Sequence, residues 1–219
     1  MSVAFFDLDK TLISQNSALL WMLRQWKKGA VRYTGGLQAL GWLVRYSLGW
    51  GGDSEAPLAR ALGGFAGASQ AEILAQTKRF YEEEVRRLYR PGALEAIEQQ
   101  RQAGRLRILL TSSTQYLGDL VAEDLGLEGC LANVMEVDVH GRLTGQIEGV
   151  VCYGRGKLLK AEAKLEQLNA SMEACTFFTD SYADISVMEA VGNPVAVNPD
   201  IRLKRWAKAR GHPIVDWGS

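Results

Sequence analysis

Four residues near the start, Val3-Ala4-Phe5-Phe6, constrain the fold of this chain more than anything after them. The run is apolar almost throughout and too short for a helix. It lacks the alternation of a strand with one wet face, and fits a strand buried on both faces, as in a parallel sheet. It ends in Asp7-Leu8-Asp9-Lys10-Thr11-Leu12, which sets two carboxylates one residue apart. Ligands in open α/β sheets bind at the carboxyl ends of strands, so both acids stand where chemistry is done. One is a candidate nucleophile or metal ligand, the other a candidate general acid or base. A pair of solvated acids at a strand end is the plainer alternative, and the rest of the chain separates the two.

At 219 residues the chain predicts one large domain, or a domain carrying an insert. Zero formal net charge gives no argument for nucleic acid as a partner. Cys130, Cys152 and Cys175 are odd in number and lack metal-site spacing, which fits thiols in a reducing, cytoplasmic setting. With only His140 and His212 available, a histidine-rich metal site or a Ser-His-Asp triad is disfavoured. The N-terminus has no leader-like pattern, and no apolar run reaches transmembrane length.

From Ile13 to about Arg87 the pattern is helical. Leu19, Leu20, Met22, Leu23 and Trp26 mark one apolar face; Leu37, Leu40, Leu43, Val44 and Leu48 mark a second. A third helix is expected over 56–62, and a fourth from the N-cap Ser69, with Glu72 three residues on, to Leu88. Helices inserted straight after a catalytic-looking strand predict a cap over that strand's end. Between Lys10 and Asp53 the cap has no acid, but it has Arg24, Lys27, Lys28, Arg32 and Arg45, interleaved with Trp21, Trp26, Tyr33, Trp42, Tyr46 and Trp50. A small bundle with core aromatics and solvated bases explains this; so does a peripheral surface for anionic lipid.

Beyond the cap, a helix over 93–102 should bury Leu94 and Ile97. A strand over 106–110 ends in Thr111-Ser112-Ser113-Thr114 before a helix over 115–125, a setting for phosphate binding or for an ordinary N-cap. Residues 133–139 and 143–148 read as a hairpin with His140 in its exposed turn. Gly154-Arg155-Gly156-Lys157 precedes a helix expected over 158–168 and puts a cation at its start. A strand over 175–178 ends in Thr179-Asp180-Ser181-Tyr182-Ala183-Asp184, two acids that suit Mg²⁺. A helix over 185–191, a strand over 195–197 and a basic amphipathic helix over 201–210 complete the pattern, with His212 read as structural.

Strand-DxD, strand-Ser, Lys at a helix start and strand-DxxxD, in that order, form a specific set. The chain resembles the haloacid dehalogenase (HAD) superfamily, subfamily IB, in its phosphoserine-phosphatase-like branch. The tail Val197-Asn198-Pro199-Asp200, Leu203, Ala207, Gly211, Pro213-Ile214 and Trp217 has the look of one bacterial subfamily. The resemblance implies an α/β fold with a Rossmann-like three-layer α/β/α core and a mainly parallel sheet. Residues 1–13 and 88–219 would form the core, and 14–87 an inserted helical cap of the C1 type. It implies a small-molecule phosphomonoester substrate and Mg²⁺ held by the Asp7 carboxylate, the Asp9 carbonyl and Asp180. Asp7 would be the nucleophile, forming an aspartyl-phosphate, and Asp9 the general acid and base. Ser112, Ser113, Leu8 and Thr11 would serve the phosphate and its loop, and Asp184 would orient the lysine.

Two readings stay open in the third motif, where a lysine usually precedes a glycine: Lys157 fills the cation position, or Arg155 does. The phosphoserine branch grips its substrate with a cap glutamate, whereas Gln15-Asn16-Ser17 stand here, which points to another phosphomonoester. A lipid-directed protein, a phosphate-binding module with weakened turnover, and transfer to an alcohol rather than water are the remaining alternatives.

Overall fold

The computed structural model describes residues 2–27 and 63–218. The second cap face (37–48), the helix expected over 56–62, and Lys28, Arg32, Arg45, Tyr33, Trp42, Tyr46 and Trp50 lie outside the described residues.

Strand β1 (Val3–Phe6) is fully buried, because it pairs in parallel with β2 (Leu106–Thr114) on one side and β6 (Thr176–Thr179) on the other. The sheet continues through β3 (Gly129–Asn133), β7 (Asn193–Val197) and β8 (Ile214–Val215) in the order β3-β2-β1-β6-β7-β8, all neighbours parallel. The chain leaves β1 for one side of the sheet and later returns to the other. The C-terminal ends of β1, β2 and β6 therefore border the crevice where ligands bind in such sheets.

Period-2 alternation sends each strand's side chains to two cores. Ala4, Phe6 and Leu109 pack against Ala93, Ala96 and Ile97 of α3 (Pro91–Gln102) and Leu117 and Val121 of α4 (Gln115–Asp124). Val3, Phe5, Ile108 and Leu110 pack against α5 (Arg155–Gln167), α6 (Ile185–Ala190) and α7 (Ile201–Arg210). This is a three-layer α/β/α arrangement.

Helix α1 (Ser17–Lys27) follows β1, and α2 (Gln70–Phe80) starts at the expected N-cap, Ser69, whose side chain accepts from the Glu72 N–H. The expected helix to Leu88 is continuous but changes pitch: α2 widens to a π turn at Tyr81–Val85 and tightens to a 3₁₀ turn at Arg86–Leu88. Phe80, Tyr81 and Val85 enter the same core as Phe6 and Leu12. The outgoing and returning segments are tied together, Ser14 N–H to the Leu88 carbonyl and Arg90 N–H to the Leu12 carbonyl, both at 2.9 Å.

Several boundaries differ from the expectation. Residues 133–139 are split: Asn133 ends β3 in the main sheet, and the hairpin is β4 (Met135–Val137) with β5 (Leu143–Ile147). The hairpin docks on the residues before α2, through Gly67 N–H to the Leu143 carbonyl (2.8 Å) and Leu143 N–H to the Ala68 carbonyl (2.9 Å). Leu94 is not buried but 47% exposed, because α3 packs through Ala93, Ala96 and Ile97. His140 is in the exposed turn, and His212 stacks on Trp206 at 4.8 Å.

Candidate active site

Asp7 follows the last residue of β1, and its N–H is held by the Phe178 carbonyl of β6 at 2.9 Å. The neighbouring strand ends therefore deliver three acids to one place: Asp7 from β1, and Asp180 and Asp184 from the segment after β6. All three are buried. Lys157, on the first turn of α5, is 1% exposed and sits between two of them, with Nζ 2.7 Å from Asp7 Oδ1 and 2.8 Å from Asp184 Oδ2. The Thr179 hydroxyl donates to the same Asp184 oxygen at 2.7 Å.

Two glycines let the lysine reach that position. Gly154 has φ 50° and ψ −121°, a conformation that a side chain disfavours. A Cβ on Gly156 would lie 1.9 Å from the Val151 carbonyl oxygen. The turn folds so tightly here that helix α5 begins at Arg155 rather than at Leu158. Arg155 is exposed, so the cation brought to the acids is Lys157.

Thr11 bridges the first and last motifs. Its hydroxyl oxygen accepts the Asp180 N–H at 2.9 Å and lies 3.4 Å from both Asp7 Oδ2 and Asp180 Oδ1. Asp9 Oδ1 accepts the Ser17 N–H at 2.7 Å, which ties this acid to the first residue of α1. Leu8 is buried in the core, and its carbonyl accepts the N–H groups of Thr11 and Ile13.

At the end of β2 the strand runs on to Thr114, four residues further than expected. None of its hydroxyls caps α4: Thr114 is the N-cap but makes no side-chain cap bond. Ser112 Oγ is buried without a hydrogen-bond partner, whereas Ser113 N–H already donates to Thr111 Oγ1 at 3.1 Å. An orphaned buried hydroxyl costs about 1–3 kcal/mol unless a ligand satisfies it.

Four buried or half-buried acids, with Lys157 among them and Lys10 acting on Asp9 and Asp180, leave negative charge in excess. Burial is the main cause that pushes Asp7 up to about 7, opposed by Lys157. Burial also raises Asp9, against the Ser17 N–H, and raises Asp180 well above its ordinary value, with Asp7 adding to the shift. Asp7, Asp180 and a main-chain carbonyl are hard oxygen donors, the class Mg²⁺ takes while keeping several waters. Among the described residues no three His, Cys, Asp or Glu side chains form a group that could hold a metal, whereas the Asp7 and Asp180 carboxylates approach each other, each 3.4 Å from Thr11 Oγ1.

Three supporting residues escape a reading by spacing. Thr179 and Ser17 act on Asp184 and Asp9. Asn133 donates to the Ser112 carbonyl at 2.7 Å and accepts the Cys152 N–H at 2.8 Å, joining the end of β2 to the loop before Lys157. Thr179 and Ser17 at least lie inside motif-adjacent runs; Asn133 has no local signal. In the cap, Arg24 bonds Glu83 (2.7 Å) and Glu84 (2.5 Å), and Trp21 packs edge-on against Phe80. Arg24 and Trp21 are thus engaged with the returning segment, while Trp26 on the same helix is 44% exposed. Among the described residues no helix is long and apolar enough to cross a membrane.

The profile of the haloacid dehalogenase-like hydrolases matches residues 4–189. A phosphoserine phosphatase of Mycobacterium tuberculosis is 31% identical over 99% of this chain and 71% of its own length. A histidinol-phosphatase of Neisseria meningitidis is 25% identical over 99% of both chains. A solved Bordetella pertussis protein of unknown function superposes with a TM-score of 0.85 at 27% identity, covering 99% of each chain. The chain belongs to the haloacid dehalogenase-like hydrolase family. It is a phosphatase of that family, of the phosphoserine-phosphatase-like kind.

Proposed function

We propose that the chain hydrolyses a small-molecule phosphomonoester in two steps through an aspartyl-phosphate on Asp7, with Mg²⁺ as cofactor. The observation that carries this is the buried Asp7 carboxylate, at the end of a central strand, held by Lys157 at 2.7 Å. The lysine fixes one oxygen and leaves the other, near Thr11, to approach phosphorus in line.

Asp7 displaces the alcohol and forms a P–O bond. Asp9, raised by burial and held through its other oxygen by Ser17 N–H, gives the departing oxygen a proton. It then takes a proton from the water that splits the aspartyl-phosphate, and Asp7 is regenerated. Ser112 Oγ donates to a phosphoryl oxygen, and Lys157 offsets its charge. Main-chain N–H groups of Leu8 and Ser113 complete the cradle, the latter by exchanging its bond to Thr111. Asp184 keeps Lys157 in place. Arg155, exposed at the start of α5, is left to the outer part of the substrate.

Phosphatases of this family generally use Mg²⁺, and Asp7, Asp180 and the Asp9 carbonyl would hold it here. When bound it supplies the positive charge that lets a carboxylate and a phosphate approach. Residues 14–87 would serve as the cap and choose the substrate, with residues 1–13 and 88–219 as the catalytic core. Gln15, Asn16 and Ser17 stand where a glutamate would grip an amino acid, and the two relatives act by name on different phosphates. The missing glutamate supports a phosphomonoester other than phosphoserine, although one of those relatives is itself named a phosphoserine phosphatase.

The test is phosphate release from a panel of phosphomonoesters, with Mg²⁺ and with EDTA, for wild type and Asp7→Asn. Turnover that needs Mg²⁺ and vanishes in the variant is expected. An Asp7→Asn protein that keeps wild-type turnover contradicts the reading.

A further inference from the structure

Asp180 sits where β6 gives way to an irregular segment, Ser181 and the short 3₁₀ turn Tyr182–Asp184. A ligand at such a point needs its main chain held from outside, since no sheet or helix ladder does so. One hold is Thr11, whose hydroxyl takes the Asp180 N–H. The others come from a residue that neither spacing nor the catalytic set points to: Asp200, between β7 and α7.

Asp200 N–H donates to the Asp180 carbonyl at 2.8 Å. Asp200 Oδ2 accepts the Tyr182 N–H at 2.7 Å. Its other oxygen, Oδ1, accepts the N–H groups of Arg202 (2.8 Å) and Leu203 (2.9 Å) and caps α7. The Arg202 guanidinium then lies 4.1 Å from the centre of the Tyr182 ring. The two segments are thus clasped on both sides of Ser181.

The residue type matters. Capping a helix needs one acceptor oxygen, and serine or asparagine does that as well as aspartate. Only a carboxylate offers a second acceptor that reaches Tyr182 while the first stays on the helix. An asparagine would turn its NH₂ toward the Tyr182 N–H or give up the cap.

We propose that Asp200 is a positioning residue for the cation site. It fixes the main chain on either side of Ser181 so that the Asp180 carboxylate points at the divalent ion, and it adds a negative charge behind that ligand. This rests on Asp180 being a cation ligand. Outer partners of metal ligands are typically worth 10–100-fold in metal affinity.

The test is Mn²⁺ binding to the full chain, read from the electron paramagnetic resonance signal of free Mn²⁺, for wild type, Asp180→Asn, Asp200→Ser and Tyr182→Pro. Melting temperature without cation is recorded for each. Asp200→Ser keeps the α7 cap but loses the oxygen that holds Tyr182. Tyr182→Pro removes the same bond from the other side. Proline is accepted at the first position of a helical turn, and Ser181 before it is already extended, with φ −109° and ψ 131°.

Asp200→Ser is expected to bind Mn²⁺ about tenfold more weakly, at the low end of that range. The Mg²⁺ concentration for half-maximal phosphate release should rise by the same factor, and added Mg²⁺ should restore turnover. Tyr182→Pro should move the same way, and carries the test if Asp200→Ser does not fold. Wild-type Mn²⁺ affinity in the folded variants, with binding lost in Asp180→Asn, overturns the role of Asp200 and leaves the cation site standing. No Mn²⁺ binding by wild type overturns both.

Discussion

Replacing Asp7 by asparagine should destroy activity and, in the absence of divalent cation, make the protein more stable. Burial raises the Asp7 carboxyl from 3.8 to about 7 despite the bond to Lys157. Between pH about 4 and 7 the folded chain holds a proton on Asp7 that the unfolded chain has released. Folding stability therefore falls as pH rises through that window. At about 1.4 kcal/mol per pKa unit, the ionised Asp7 costs up to about 4 kcal/mol at pH 8. Asparagine keeps an oxygen for Lys157 but puts an NH₂ where the Thr11 hydroxyl meets the other oxygen, which gives back about 1–2 kcal/mol. The expected net gain is about 2 kcal/mol at pH 8, a melting temperature higher by about 4–8 °C for a chain of this size. By pH 4 most of the difference should be gone, since Asp7 is then protonated in the folded chain and partly protonated in the unfolded one. Thermal unfolding by circular dichroism in EDTA at pH 4 and pH 8 measures this. A variant less stable than wild type at pH 8 would refute the reasoning, because it would mean that the ionised carboxylate is a net support of the fold.

Adding Mg²⁺ should raise the melting temperature of wild type and leave Asp7→Asn nearly unmoved, since a ligand stabilises only the state that binds it; equal shifts would place the ion elsewhere. Lys157→Met should cost about 3–5 kcal/mol at pH 8, by leaving Asp7 and Asp184 buried without their partner, and should abolish turnover; denaturant unfolding reads the first and phosphate release the second. Lys157→Arg should not rescue activity, because two oxygens at 2.7 and 2.8 Å share one ammonium nitrogen, a geometry that a planar guanidinium does not copy. Gly156→Ala should lower both stability and activity through its clash with the Val151 carbonyl, while Gly129→Ala, with nothing within 4 Å of the added carbon, should leave the turnover number unchanged.

The acid-bearing strands were legible in the sequence because they are buried on both faces and read as continuous apolar runs that stop at polar residues. Val3–Phe6 is the clearest of them. Strand β3 was hidden because Gly129-Cys130-Leu131-Ala132-Asn133 has weak strand chemistry and depends on β2 beside it. β8 is two residues long and exists only through its pairing with β7. Leu94 misled because helical periodicity alone does not say which of two apolar stripes faces the sheet; α3 approaches through its alanines, which allow closer packing. At the site, the acids and the lysine were readable from order and spacing along the chain. Their tertiary partners were not: Asn133 reaches Ser112 across 21 positions, and Thr11 reaches Asp180 across 169. The choice between Arg155 and Lys157 also needed three dimensions, because both stand near the start of one helix and only the turn through Gly154 and Gly156 decides which side chain enters the protein.

The central claim is that phosphate passes through a covalent bond to Asp7. Mass mapping of protein quenched in acid during turnover of its best substrate tests that most directly. A phosphoryl group on the peptide containing Asp7, absent when the substrate is omitted and absent in Asp7→Asn, is the predicted result. Turnover in wild type with the phosphoryl group trapped on another side chain, or Asp7→Asn turning over at the wild-type rate, would contradict the account.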